Sequence, residues 1–401
     1  MIKRVLFVLD GTYPMDVRVQ KEIAALEGEV EVHLMCAKNS KNTHEFISNF
    51  FFGPSTRKIS KGFREILISL FGTDPFMSNR LRTIVKNGNF DIIHVHDLPQ
   101  FKTVYKISSR FEIPLILDLH ENFPEALDTW FQWRKSKIIR FKNKLLFNSG
   151  RWKKKERFAV EHADHVIAVV EEMKNKLLSE FNVDDSKITI ITNSEDPSFF
   201  DEIEVCDLPF EEDTFNVLYT GGIGPHRGLD DVILALGELE RNETVNVVLH
   251  IFGSGHRDNI AHLKTLVNEN KIDHRVFFHS PVPLKSIPYL MRNADLNIIP
   301  HKSNGHCNNT VPHKLYHGLL SKRPLLVSNS APLLRITQNG VYAPNFDAGQ
   351  HSSCAIALKN IIEDHRLYMS KASESEAYFS RKEHSWDSEA IKLKSLYSTF
   401  N

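Results

Sequence analysis

Three segments set chemistry-bearing side chains directly behind short apolar runs. In "VLYTGGIGPHRGLDDVILAL" (Val217 to Leu236), Gly221, Gly222 and Gly224 let a ligand approach the backbone closely, and Arg227 brings a permanent cation just before a helical stretch. Backbone N–H groups, a helix dipole and a guanidinium together suit a diphosphate; the plainer reading is a tight turn with a solvated arginine. "LILDLHENFPE" (Leu115 to Glu125) places His120 and Glu121 after an apolar run, where they can hydrogen-bond or exchange a proton with a hydroxyl. A strand-end histidine also serves as a structural hydrogen-bonding residue. "FDIIHVHDLPQ" (Phe90 to Gln100) carries His94, His96 and Asp97. Alternate strand residues share a face, so the two histidines have chelating spacing, yet the run is apolar and shows no third ligand. A strand end with Asp97 in a binding role is expected, and no metal.

Two further loops are candidates. "FGSG" (Phe252 to Gly255) follows a β-type run and is either a cradle, with Gly253 and Gly255 admitting a ligand, or a plain glycine turn. Phe278 or His279, at the end of the next run, is placed to stack on a flat ligand there. "CNNTVPHKLYHGLL" (Cys307 to Leu320) reads as a polar loop entering a helix with Pro312 in its first turn, so that uncapped N–H groups from Thr310 onward face an anion.

These residues need strands that end at a common edge. Beginning with "VLFVLD", the chain alternates short apolar runs with amphipathic stretches: "VEVHLMCA" (Val30 to Ala37), "DIIHVH", "PLILDLH", "HVIAVV" (His165 to Val170) and "KITIITN" (Lys187 to Asn193). Runs that do not alternate apolar with polar, interleaved with helices, mean parallel strands covered on both faces. An acidic, proline-punctuated stretch from Pro197 to Asp213 interrupts the pattern, which restarts at "NVLYTG" and continues through "VNVVLHIFG", "RVFFHS", "ADLNIIP" and "RPLLVSN". The expectation is an α/β protein of two doubly wound, Rossmann-like domains facing across a cleft. Residues 1–200 form the first, 201–214 a linker, 215–380 the second, and 381–401 a C-terminal helix that caps the second domain or crosses back to the first. In the helix, Ile391, Leu393, Leu396, Tyr397 and Phe400 form the apolar pattern.

Composition excludes several classes. The 50 basic and 50 acidic residues balance, so no nucleic-acid partner is expected. The 4 cysteines show no CxxC spacing, which fits a reducing compartment without disulfides or structural zinc. The apolar run Val5 to Leu9 stops at Asp10, too short for a secretory signal, and no stretch reaches the roughly 18 apolar residues of a membrane span. A cytoplasmic protein is expected.

With its motifs in this order, the chain resembles the GT-B-fold glycosyltransferases of the family 4 type, over nearly its whole length. "DVRVQKEIAAL" (Asp16 to Leu26) is similar to the family's first helix, after a loop containing Gly11. "HVHDLP" and "LDLHENFPE" resemble its acceptor-side loops, and "GGIGPHRGLDDVILAL", "IFGSG" and "VPHKLYHGLLSKRPLLVSN" its donor domain. The resemblance implies transfer of a sugar from a UDP- or GDP-sugar, with retention of configuration, to a hydroxyl of a glycan or lipid-linked saccharide, in cell-surface polysaccharide synthesis. It implies donor contacts at Gly11, Gly222, Arg227, Gly253, Gly255, Asn309, Thr310, Val311, Lys314 and His317, an acceptor contact at Asp97, and reacting roles for His120 and Glu121. No cofactor and no metal are implied, the nucleotide-sugar being a substrate. Two departures stand out. The family's phosphate loop often carries arginine and then lysine five residues on, where this chain has Gly222 and Arg227, with Lys314 or Lys302 as the compensating cation. Glutamates are usual at the positions of Asn309 and His317. Rival readings are a nucleotide-sugar epimerase on the same fold and a non-catalytic sugar-nucleotide- or glycan-binding protein.

From Trp130 to Arg157, 11 lysines and arginines face 1 acidic residue, interleaved with Trp130, Phe131, Trp133, Phe141, Phe147 and Trp152. Ile138, Phe141 and Leu145 share a helical face flanked by lysines. The composition suits an anionic membrane surface, the inner face of the plasma membrane; the alternative is a helix pair with aromatics turned inward and a solvated basic face.

Overall fold

The computed structural model describes residues 2–39, 46–54, 58–131, 137–242 and 245–400. They form two compact units, the first of residues up to Phe131, those from 137 to Thr192 and those from Glu389, and the second of Asn193–Ser388. The first unit contains strands β1 (Lys3–Tyr13), β2 (Val30–Asn39), β3 (Ile47–Phe52), β4 (Ile92–His96), β5 (Leu115–Leu119), β6 (His165–Ala168) and β7 (Ile188–Ile190). They make one sheet in the order β3-β2-β1-β4-β5-β6-β7, every pair parallel. The second unit has β8 (Phe215–Thr220), β9 (Val247–Phe252), β10 (Val276–His279), β11 (Leu296–Ile299), β12 (Leu325–Ser328) and β13 (Asn345–Phe346), ordered β10-β9-β8-β11-β12-β13 and again parallel.

Burial on both faces explains the unalternated strands: every residue of β4, β5, β9, β11 and β12 is buried. In the second unit the helices Leu229–Arg241 and His351–Glu363 join one core, with Val232, Ile233 and Leu236 of the former and Leu358 and Ile361 of the latter against Val217, Leu249 and Ile251. Each sheet reverses its winding once, between β1 and β4 and between β8 and β11. The loops leaving such a pair of strands diverge and open a crevice, the usual ligand site of an open α/β sheet. In these sheets they carry Asp97 after β4, Gly221 to Arg227 after β8, and His301 after β11.

Two boundaries differ from the sequence reading. Compact packing changes hands at 192/193 rather than in the 201–214 stretch, because Phe200 and Leu208 already pack within the second unit. At the other end, the helix Trp386–Ser398 contributes to both units, and residues from Glu389 onward belong to the first. Leu393, Leu396 and Tyr397 are buried there, Glu389 accepts from the Thr192 N–H at 2.9 Å, and Lys3 Nζ donates to the Tyr397 carbonyl at 3.1 Å and to that of Phe400. Ile391 is 68% exposed and does not share this face. Among the described residues, no helix is long and apolar enough to cross a membrane.

Candidate active site

In the first unit, a network of ionisable side chains occupies one face of β4 and β5. His96 and Asp118 are register partners on neighbouring strands, and His94 and His120 lie two residues from them, so all four side chains project the same way. The helix Val17–Ala25 lays Arg18 and Glu22, one turn apart, over that face. Arg18 grips Asp118 with both arms, Nε to Oδ2 at 2.8 Å and Nη2 to Oδ1 at 2.9 Å, while its Nη1 donates to the Ile191 carbonyl at 2.9 Å. Asp118 Oδ2 also takes His120 Nε2 at 3.0 Å and faces His96 Nδ1 at 3.3 Å. Tyr397, from the C-terminal helix, meets His94 Nδ1 at 2.6 Å, and the His94 ring stacks on His96 with centroids 4.4 Å apart.

Burial divides the charges unequally. Burial would raise the Asp118 carboxyl, but Arg18 and His120 hold it well below the ordinary 3.8. Burial and the adjacent Asp118 push Glu22 well above 4.5, so the negative charge of the pair is favoured on Asp118. Burial lowers His94 and His96, which are neutral. His120 goes the other way: burial opposes its charge, but Asp97, Asp118 and Asp16 raise it well above 6.5. Its Nδ1 lies 3.5 Å from Asp16 and 3.6 Å from Asp97. Asp97 has φ 66°, ψ 154°, a conformation that costs a non-glycine residue roughly 1–3 kcal/mol and recurs at functional sites.

The structure thus brings Asp97 and His120 together and adds Asp16, Arg18 and Asp118. Glu121 begins the next turn, its carbonyl accepting from the Phe123 N–H at 2.9 Å. Gly11 lies inside β1, with Leu9 in ordinary contact where a Cβ would stand. His94 and His96 gain the third metal-capable neighbour that the sequence did not reveal: with Glu22 and Asp118, their ligand atoms lie within 4.8 Å of one another. The Arg18 guanidinium, 3.1 Å from Glu22 and 2.8 Å from Asp118, supplies the positive charge for that cluster.

In the second unit, the loop after β8 passes through the short turn Pro225–Arg227 to Gly228, whose φ is 67°. A Cβ there would stand 1.7 Å from the Pro300 carbonyl, so glycine is what lets the exits of β8 and β11 touch. Their contact puts Arg227 Nη1 2.8 Å from His301 Nε2. Arg227 can only donate, so His301 is neutral at Nε2; burial and the charges of Arg227 and Lys314 depress it well below 6.5. Lys314 Nζ lies 3.0 Å from the Tyr219 hydroxyl and 4.2 Å from its ring centroid. Among the described residues no carboxylate pairs with Arg227 or Lys314. Burial, then Arg227, hold the Lys314 amine well below 10.5. Lys302 is committed elsewhere, to Asp230 at 2.9 Å and Asp231 at 2.7 Å, so Lys314 is the second cation of this site.

The glycines divide by task. A Cβ on Gly222 would meet open space, which leaves its backbone accessible. Gly253 and Gly255 instead face backbone: their Cβ positions lie 1.9 Å from the Gly221 carbonyl and 2.0 Å from that of Ile223. They let two loops pack together rather than admit a ligand on that side. The helix begins at His313 with Pro312 as its cap, one residue later than a proline in the first turn. Thr310 is extended, Val311 is buried with its carbonyl taken by Asn193 Nδ2 at 3.0 Å, and Asn309 Nδ2 donates to the Gly305 carbonyl at 2.7 Å. His317 is stacked on Phe199, centroids 3.9 Å apart, with Nε2 3.0 Å from Glu195. A carboxylate therefore stands beside His317, brought by the 193–199 segment. His279, not Phe278, flanks the β9 exit, stacked on Phe252 at 4.2 Å, while Phe278 packs on the core.

Two family models match along the chain, Glycosyltransferase Family 4 over residues 17–199 and Glycosyl transferases group 1 over 201–377. The chain belongs to the GT-B glycosyltransferases of the family 4 type. An uncharacterized glycosyltransferase of Methanocaldococcus jannaschii is 26% identical over 254 residues, 58% of this chain and 59% of that protein; the match thus spans less than two thirds of that relative. Among solved structures, Anabaena HepE in complex with UDP-glucose superposes with TM-score 0.73 at 14% identity, covering 99% of both chains. The sucrose-phosphate synthase of Thermosynechococcus elongatus does so with TM-score 0.75 at 14% identity, covering 99% of this chain and 98% of that one. At such identities the shared property is the fold: two Rossmann-like domains.

Proposed function

We propose that the protein transfers a sugar from a nucleotide-sugar donor to a hydroxyl of a glycan or lipid-linked saccharide, with retention of configuration and without a metal or cofactor. The observation that carries this reading is the pair of basic side chains, Arg227 and Lys314, that have no carboxylate partner among the described residues, beside the open Gly222 backbone at the winding reversal of the second sheet. Such a site is electrostatically incomplete and suited to a diphosphate. That HepE has been solved with UDP-glucose supports a nucleotide-sugar as the ligand. In the reaction the bond from the anomeric carbon to the diphosphate breaks, a bond to the acceptor oxygen forms, and Arg227 and Lys314 stabilise the charge that develops on the leaving group. The departing diphosphate oxygen takes the hydroxyl proton. His317 and Glu195 together replace the usual glutamate on the ribose, the imidazole donating to Glu195 and the carboxylate accepting from a hydroxyl. Asp97, His120 and Glu121 serve the acceptor and the reacting sugar.

A thermal-shift panel of UDP, GDP, ADP and their sugars tests the donor site. A ligand at 100 times its dissociation constant adds about 2.7 kcal/mol to stability. No shift with any of them at millimolar concentration removes the assignment, and product analysis separates transfer from epimerisation or binding alone.

We also propose peripheral attachment to anionic membrane through the helix Lys137–Leu146. The side chains of 131–140 and Lys142 lie outside the described residues, but Phe141 and Leu145 are 73% and 60% exposed. Farther along, the basic segment serves the fold: Trp152 is buried against Phe123, Arg151 Nη1 donates to the Leu146 carbonyl at 3.2 Å, and Lys155 Nζ donates to the Ile68 and Ser69 carbonyls at 2.5 Å. Binding to anionic vesicles that is absent at low salt, or unweakened by high salt, contradicts the attachment.

A further inference from the structure

The Arg18–Asp118 clamp is buried in the first unit, yet it ends on His120, which is partly exposed. Asp118 is completely buried, and so are Arg18, Glu22, His94 and His96 apart from traces of surface. A buried aspartate accepting at Oδ2 from Arg18 and from His120 fixes the imidazole plane, because Arg18 offers both its Nε and Nη2 and leaves Asp118 no freedom to rotate. The backing is equally fixed. His96 Nδ1 lies 3.2 Å from His120 Nε2, its ring stacks on His94, and His94 is held in turn by the Tyr397 hydroxyl.

We propose that Asp118, clamped by Arg18, is a positioning residue that aims the His120 Nδ1–H at a substrate hydroxyl or ring oxygen, so that His120 acts as a hydrogen-bond donor and not as a base. This rests on the reading above that His120 meets the reacting sugar or its acceptor. The carboxylates Asp16 and Asp97 flank Nδ1 at 3.5 and 3.6 Å, each partly exposed, and form with it a polar rim that can donate to and accept from one sugar hydroxyl. The charged and titratable groups around His120 include Asp16, Arg18 and Glu22 from the first helix and its cap, His96 and Asp97 from β4 and its exit, and Asp118 from β5. Burial raises the Asp97 carboxyl above 3.8, yet Asp97, Asp118 and Asp16 together favour the imidazolium, in which both ring nitrogens carry protons. No lone pair is then left to take the acceptor's proton, which departs on the diphosphate oxygen.

The test is the protonation of His120 read by nitrogen NMR on the whole chain, assigned with His120→Gln, beside the pH profile of sugar transfer. At about pH 7 both His120 nitrogens should carry protons, and transfer should fall only as alkaline pH removes one. Asp118→Asn should lower kcat on the order of 100-fold with little change in donor KM, and Asp118→Glu, which keeps the charge, should restore part of it. Because loss of the clamp can also unfold the protein, Asp16→Asn and Asp97→Asn provide the same test at partly exposed positions. Each should move the deprotonation of His120, and the alkaline limb of kcat with it, to lower pH. A neutral His120 at about pH 7 in the unaltered chain, or an activity that rises as His120 loses its proton, overturns the inference. Full transfer by His120→Ala would instead overturn the role given to His120 itself.

Discussion

Donor binding should take up a proton at Lys314. In the free protein the amine is buried against Tyr219, has Arg227 as its charged neighbour and, among the described residues, no carboxylate partner, and is held well below its ordinary 10.5. A bound diphosphate supplies the missing negative charge and raises the amine's affinity for a proton. In the pH window between the free and bound pKa values, each donor bound takes up to one proton from solution. Affinity therefore weakens as pH rises through that window, by at most tenfold per pH unit, or about 1.4 kcal/mol. A nucleotide-sugar is the right probe, since its diphosphate is a diester, whereas a free nucleoside diphosphate titrates its own terminal phosphate near pH 6. Calorimetry in two buffers of different ionisation enthalpy counts the protons directly. An uptake of zero, or an uptake that survives Lys314→Met, refutes the reasoning. The same amine works against the unliganded fold: burial and Arg227 lower its affinity for a proton below that in the unfolded chain, so this contribution to stability improves as pH rises toward about 10.4.

Other consequences follow from the same geometry. Asp118→Ala strands the buried Arg18 charge and should cost about 3–5 kcal/mol in urea unfolding; a loss below 1 kcal/mol would mean that water reaches the clamp. Gly228→Ala meets the Pro300 carbonyl and a positive φ, and should both destabilise the chain by about 1–3 kcal/mol and weaken the diphosphate response, since the Arg227–His301 contact depends on that approach. Unchanged donor affinity in this variant would separate Gly228 from the site. Tyr397→Phe should cost about 1 kcal/mol through the lost hydrogen bond to His94, measured as a shift of the urea midpoint at constant slope.

The sequence made the strands of both sheets legible where burial on two faces left them as unbroken apolar runs, as in β4, β5 and β9. It did not disclose β3, an edge strand whose "ISNFFF" is only partly buried, or β13, two residues long. His120 and Arg227 were visible because each follows a strand at the sheet's ligand-binding edge. Their partners were not. Arg18 and Glu22 lie in the amphipathic first helix, and only the register of His96 against Asp118 shows that helix face to lie over the His120 network. The choice between Lys302 and Lys314 needed Asp230 and Asp231, whose pairing with Lys302 leaves Lys314 as the second cation of the proposed donor site. Glu195 was equally hidden, since it lies 122 positions from the His317 it faces. Gly253 and Gly255 show what a glycine turn does not disclose: their Cβ positions face the carbonyls of Gly221 and Ile223, so both glycines are needed for the close approach of two loops.

The central claim is that Arg227 and Lys314 hold the donor through its diphosphate. Calorimetric titration of a nucleoside diphosphate and of its nucleoside, into the unaltered chain and into Arg227→Ala, tests it most directly. The account predicts that the substitution weakens the diphosphate by about 10- to 100-fold, the range of one lost charge-assisted hydrogen bond, and leaves the nucleoside's affinity nearly unchanged. Equal losses for both ligands would contradict it.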